Sequence, residues 1–189
     1  GQFTYDENDT LNADATGWTI NQLDAKALAA GIAVKGAVEG REITESDLGG
    51  NIFGIYSAQA SEIKNLDVTD TDFNENGNRG VYIVGALEGA NFENVSITKT
   101  GDTSNTNPAS DARAFQLNVR NAGADSGDIT ISDSTLTGSL HTAVTLVAAN
   151  GASIDGVTVV DSNISNNGGP GFTINDQTVS GMEIHRNRI

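Results

Sequence analysis

Cysteine is absent from this chain, which removes any disulfide framework and any cysteine-based zinc site. No stretch reaches the roughly 18 apolar residues of a membrane-spanning helix, so membrane insertion is not expected. Basic residues are scarce: ten Lys and Arg stand against 25 Asp and Glu, for a net charge of −15. A surface of that sign repels phosphates, so nucleic acid is not an expected partner. Hydrophobic residues make up only 37% of the chain, less than an ordinary globular core uses. They nevertheless recur at regular positions, which a disordered chain does not need. A thin core wrapped by many turns reconciles the two observations.

The regularity is an eight-residue pattern that returns six times. It begins at Arg41, Leu66, Val95, Ile129, Val157 and Met182, with spacings of 25, 29, 34, 28 and 25. The template runs apolar, polar, apolar, Thr-like, charged, Ser/Thr/Asn, variable, apolar. A fixed period decides the fold class before local propensity is consulted. A second apolar pair precedes each octet: Ile32/Val34, Phe53/Ile55, Val81/Ile83 (or Tyr82/Val84), Phe115/Leu117, Val144/Leu146 and Phe172/Ile174. A third apolar position sits three residues before each octet, at Val38, Ile63, Phe92, Ile154 and Val179, and only Ser126 breaks that row. Each repeat thus offers three short inward-facing strands, which stack on their own copies about 4.8 Å apart. Constant strands with variable spacing place the insertions in the turns.

Stacked in this register, the octets form columns. Ser46, Thr71, Thr100, Ser134, Ser162 and Asn187 make a small polar column at a turn, where such side chains bond to nearby backbone. Glu45, Asp70, Lys99, Asp133, Asp161 and Arg186 make a charged outer column, and Glu42, Asp67, Ser96, Thr130, Thr158 and Glu183 a second. Residues 1–31 are read as a lead-in, with a helix over 22–30 capping the first repeat. Ala and Leu there favour helix, Asn21 suits the start and Gly31 the end. The parallel solenoid is expected over 32–189.

The stretch Gly156 to Ile174 (Gly-Val-Thr-Val-Val-Asp-Ser-Asn-Ile-Ser-Asn-Asn-Gly-Gly-Pro-Gly-Phe-Thr-Ile) resembles the repeat of right-handed parallel β-helix proteins, the pectate-lyase-like superfamily. Gly181 to Ile189 resembles the start of another such repeat. The resemblance covers about residues 32–189. It implies an all-β right-handed parallel β-helix of about six coils. It also implies an extracellular or cell-surface setting, in a superfamily that mixes polysaccharide lyases and epimerases with tailspikes, adhesins and non-catalytic surface proteins. The superfamily's Asp-Pro-His-Glu motif of mannuronan epimerases is missing here, as are the Asn-Thr-Asp, Gly-His-Gly and Arg-Ile-Lys motifs of polygalacturonases.

Three sets of residues are candidates for chemistry. Glu42 stacked on Asp67 places two carboxylates about 5 Å apart, a spacing that raises one pKa or recruits a cation. Asp70, Asp72, Asn74 and Asn76, followed by Gly77, resemble the first half of a calcium loop, but Ile83 stands where the bidentate Glu belongs. Calcium is the cofactor these residues suggest. The third set is the loop edge, where Arg79, Asp102, Asp111, Arg113 and His141 reach neighbouring coils and the 101–113 insertion is longest. Asp102, Asp111, Arg113 and His141 are candidate ligand-binding residues. Arg79, Arg113 and His141 are the catalytic set of the enzyme alternative, a lyase or epimerase acting on an acidic glycan.

The last octet closes on the inward position Ile189 without a capping helix after it. An open rung exposes core and unpaired amides, so self-association head to tail, or a longer parent chain, is expected. With a regular scaffold and no complete catalytic set, the leading expectation is a structural, adhesive or glycan-binding role with polysaccharide as the partner.

Overall fold

The computed structural model describes residues 19–101, 112–121, 123–175 and 178–189. It is an all-β, right-handed solenoid of about six turns with every strand pairing parallel. Three sides can be followed. Sheet 1 stacks Thr19–Asn21, Ala37–Thr44, Ser61–Thr69, Asn91–Glu93, Asp125–Ser132, Ser153–Val160 and Glu183–His185. Sheet 2 stacks Ala30–Val34, Phe53–Ser57, Arg79–Glu88, Arg113–Val119, Val144–Ala148 and Phe172–Asn175. The third side is the pair Ser96–Thr98 and Thr135–Thr137, extended by single bridges through Asp24, Asp47, Asp72, Asn163 and Arg188. Arg79–Glu88 belongs to two sheets, bending at Gly85 (φ 136°), where a Cβ would lie 2.3 Å from the Ser61 carbonyl oxygen.

Side chains alternate in and out along the sheet 1 strands. In sheet 2 two successive residues, Gly54 and Ile55, Gly80 and Val81, or Ala114 and Phe115, are buried before alternation resumes or the strand stays buried. The inward side chains meet in one core. Ile43, Val68, Phe92, Ile131 and Val159 form its row under sheet 1, all buried. Ile55, Val81, Phe115 and Val144 form the row under sheet 2. Phe92 and Phe115 join the two rows edge to face, with ring centroids 5.2 Å apart. Each such side chain contributes about 1.5–3 kcal/mol on burial. Val81 and Ile83 are the inward pair of their strand, and Tyr82 points outward.

The expected helix over 22–30 does not form. Residues 22–29 are irregular, and their backbone groups bond to the neighbouring coil instead of along a helix: the Ala25 amide donates to Asp47 O at 3.0 Å and the Asp47 amide to Leu23 O at 2.8 Å. Ala25 is buried in the common core and Leu23 and Leu28 pack against it, so Ala and Leu serve a coil here and tertiary pairing overrides their helix propensity. Solenoid pairing already begins at Thr19, opposite Glu42, upstream of the expected boundary. Residues 1–18 of the expected lead-in lie outside the described residues.

The third octet also changes register. Asn91–Glu93, not Ser96–Thr98, pairs with Asp67–Thr69 in sheet 1, and Ser96–Thr98 moves to the third side, opposite Thr135–Thr137. Phe92 supplies the core side chain and Asn94 turns the corner at φ 51°, a conformation Asn tolerates. The equivalent corners are Glu45, Asp70, Asp133, Asp161 and Arg186, all with positive φ. Asn94 therefore replaces Lys99 in the charged column and Asn91 replaces Ser96 in the second one. The hydroxyl column loses Thr100, whose expected place is taken by Val95. In Ser46, Thr71, Ser134 and Ser162 the hydroxyl donates to the carbonyl two residues earlier, at 2.6–2.9 Å. That hydroxyl also accepts an amide of the preceding coil at Ser46, Ser134 and Ser162.

A second internal column, absent from the sequence reading, runs through Asn51, Asn76 and Asn167. Each Asn donates to the carbonyl three residues earlier, Leu48, Phe73 and Ile164 respectively. Each Oδ1 accepts an amide of the preceding coil, from Leu28, Asn51 and Ser139. Where Thr100 and Ser139 interrupt the Asn residues, their hydroxyls are buried with no partner among the described residues. Asn76 is wholly buried and makes both bonds, so Asn76→Ala leaves a carbonyl and an amide without partners. It should cost about 2–3 kcal/mol of unfolding free energy, read as a lowered urea midpoint with unchanged slope.

Candidate functional site

Charge is sorted by side. Among the described residues the strand segments paired in sheet 2 contain no Asp or Glu, and they carry Arg79 and Arg113. Sheet 1 holds Glu39, Glu42, Glu62, Asp67, Asp125 and Asp155, among others. On a chain of net charge −15 this leaves one face free of strand carboxylates.

That face also carries an aromatic group that stands outside the buried core. Phe53, Tyr56 and Tyr82 are half-buried and in mutual contact, with ring centroids 5.2, 5.8 and 5.9 Å apart. The parallel register causes this: Tyr56 and Tyr82 are direct cross-strand partners, and Phe53 lies opposite Arg79. The Arg79 guanidinium sits 4.6 Å from the Tyr82 ring centre, a cation–π contact. Its Nε donates to Gln116 Oε1 and its NH1 to Asn78 Oδ1. Asn118 donates to the Tyr82 hydroxyl at 3.4 Å, and Arg120 Nε donates to Asn118 Oδ1 at 2.7 Å. The three half-buried rings thus form an aromatic patch over two coils, resting on a buried polar layer of Arg79, Gln116 and Asn118.

The loop-edge residues fall at the margin of the same face. Arg79 and Arg113 are cross-strand partners. His141 donates its backbone amide to Ala112 O at 2.9 Å, next to Arg113. Its Nδ1 lies 2.9 Å from Thr142 Oγ1, which is 3.2 Å from Thr173 Oγ1. Asp102 and Asp111 lie outside the described residues. The aromatic group itself is missed by the sequence reading, which sends Phe53 inward. The one sequence signal is that Phe53 aligns with Arg79 and Arg113 and not with aliphatic residues.

The suggested calcium residues are not gathered into one ligand set. Glu42 and Asp67 are register partners, yet Glu42 accepts from Thr19 Oγ1 and Asp67 from Asn91 Nδ2. Asp70 accepts from Asn94 Nδ2 at 2.6 Å, and Asp72 bridges Asp47 and Ser96 on the third side. Asn74 Oδ1 takes three donors from Ser96 and Thr98, and Asn76 is committed to the buried column. Among the described residues no three His, Cys, Asp or Glu side chains group as a metal site.

Sheet 1 has a groove of about 440 Å³ where its ladder breaks, lined by Glu62, Lys64, Glu88, Asp125, Asp128 and Asp155. The break is at Ser126, the one polar residue in its row: its hydroxyl, rather than a strand carbonyl, accepts the Leu87 amide at 2.9 Å. Compared with known proteins, the chain matches no family model, no curated protein and no solved structure.

Two ion pairs bind adjacent coils and shift their groups. Partial burial pushes the Asp47 carboxyl up, but the Lys26 hydrogen bond, the Gly49 amide and the Lys26 charge outweigh it and hold it below the usual value. Arg186 hydrogen bonds hold Asp161 low, over a weaker opposing effect of burial. Both carboxyls are depressed in the folded chain, so each adds stability above the ordinary pKa of 3.8. That stability is lost as pH falls through the folded value. Asp47→Asn and Asp161→Asn should each lower the urea midpoint at neutral pH, and the deficit should close as pH falls below 3.8 through the lowered folded values.

Proposed function

We propose that this chain is a non-catalytic extracellular or cell-surface solenoid that binds an acidic glycan on the outer face of sheet 2. The supporting observation is the contact group of Phe53, Tyr56 and Tyr82 beside Arg79 and Arg113, in the strand segments paired in sheet 2, which contain no carboxylate among the described residues. Sugar rings present apolar C–H faces that pack on aromatic rings, and uronate carboxylates suit the planar fork of arginine. The rings lie on two adjacent coils about 4.8 Å apart and continue along the axis into Gln116, Thr145 and Thr173, a strip of aromatic and then polar side chains that suits a polymer better than a single sugar. The scaffold supplies rigidity, since the face rests on strands and not on loops.

A specific observation keeps an enzyme reading as the second one: Arg79, Arg113 and His141 share one margin. A lyase or epimerase would act there on the same class of polymer.

Affinity electrophoresis in gels containing alginate or pectate tests both readings. The wild-type chain should be retarded, and Tyr56→Ala with Tyr82→Ala should weaken retardation about tenfold. Asp125→Asn, on sheet 1, should not. Retardation equal in wild type and the tyrosine variant would defeat the assignment of the face. Unsaturated product in the incubated polymer, seen by ultraviolet absorbance, or altered uronate composition by NMR, would establish the enzyme.

A further inference from the structure

The chain contains three Asn-Gly steps, Asn76-Gly77, Asn150-Gly151 and Asn167-Gly168, and the fold treats them differently. Asn-Gly is the dipeptide most open to attack of a backbone nitrogen on the preceding side-chain amide, because glycine brings no Cβ to obstruct it. The attack needs a mobile side chain and a backbone amide released from other bonds.

Two of the steps lack both. Asn76 is wholly buried, with Nδ2 donating to Phe73 O and Oδ1 accepting from Asn51 N. The Gly77 amide donates to Asn51 O at 2.7 Å. Asn167 donates to Leu136 O and Ile164 O and accepts from Ser139 N, while Gly168 N donates to Ser139 O at 2.8 Å. These are the asparagines of the internal column, and the column immobilises the reacting atoms on both sides.

Asn150-Gly151 stands outside it, in the turn from Val144–Ala148 of sheet 2 to Ser153–Val160 of sheet 1. Both residues are exposed, and a Cβ on Gly151 would meet nothing within 4 Å. Among the described residues Asn150 makes one side-chain bond, from Nδ2 to Arg120 O at 3.1 Å. The turn is closed by Ala152 N donating to Ala149 O at 3.2 Å, which leaves the Gly151 amide out of the turn's hydrogen bond.

We infer that Asn150 is the site of spontaneous deamidation in the folded protein. The Gly151 nitrogen bonds to Asn150 Cγ and its proton leaves with the departing amide as ammonia, giving a cyclic imide. Water then opens either C–N bond of the ring, and the product is aspartate or isoaspartate at position 150. Water is the only co-reactant and no redox change occurs. The new carboxylate lies beside the Arg120 carbonyl, at the margin of a sheet whose paired strand segments otherwise hold none among the described residues, and it removes the Nδ2 donor that adds a side-chain tie between this turn and the preceding coil. The inference does not depend on the glycan reading.

The test is incubation of the intact folded chain at mildly alkaline pH, followed by peptide mapping with mass spectrometry. Conversion should appear at Asn150 at least about tenfold sooner than at Asn76 or Asn167, whose reaction waits on local opening. In urea the three steps should converge. Asn150→Gln should abolish the early acidic species in isoelectric focusing. Its backbone conformation is acceptable to glutamine, since Gln22 holds φ 56° and Asn150 φ 59°, and circular dichroism confirms that the variant is folded. Equal rates at the three steps in the folded chain would overturn the inference. So would an unchanged Asn150 over a period in which the urea sample converts.

Discussion

Each coil completes its backbone hydrogen bonds on the coils above and below it, and the rest of the molecule follows from that. Strand partners are then about 4.8 Å apart wherever they pair, so any residue type placed at one point of the repeat meets its counterpart at close range. Apolar residues so placed become a continuous core. Polar ones must find partners along the axis, because an unmet buried polar group costs about 1–3 kcal/mol. The Asn51, Asn76 and Asn167 column meets that demand with bonds both within a coil and between coils. The hydroxyls of Ser46, Ser134 and Ser162 do the same at the next corner.

Stacking imposes a matching condition on charge. Like charges in one column repel at the same short distance; Glu42 still faces Asp67, and the columns relieve the repulsion in part by placing amides and bases beside other carboxylates. Asp70 faces Asn94, Asp161 faces Arg186, Glu75 faces Lys99 and Asp47 faces Lys26. Such exposed pairs add little individually. Their role here is to make an acidic solenoid tolerable to itself, which explains why scarce basic residues occur beside carboxylates of the adjacent coil.

The period and the inward positions were legible in the sequence because burial on a strand demands alternation, and alternation is visible in one chain. Register was less legible, for a physical reason. Val95-Ser96-Ile97-Thr98 satisfies the octet as well as Asn91-Phe92-Glu93 satisfies a shorter strand, and only the corner at Asn94 distinguishes them. The Leu23 to Ala30 stretch misled in the same manner, since Ala and Leu favour a helix locally but their backbone groups found better partners across coils. For the candidate site, Arg79, Arg113 and His141 could be named from the turns, whereas the aromatic group could not. Phe53 and Tyr82 are apolar enough to pass as core until the strand is paired and its outward column is seen to contain arginine.

The anionic polymer proposed as the ligand of sheet 2 would approach a chain whose net charge is −15. Net charge governs long-range encounter, and at physiological ionic strength it is screened beyond about 8 Å. A bound polymer responds to what lies within that distance. The polymer proposed for sheet 2 would meet the Phe53, Tyr56 and Tyr82 rings there with no carboxylate in the paired strand segments, whereas the strands of sheet 1 carry several. Because every coil repeats the same division of sides, the separation of charge is as regular as the fold. A local substitution on sheet 1 therefore leaves the electrostatics of sheet 2 almost unchanged, and the two faces can be altered independently.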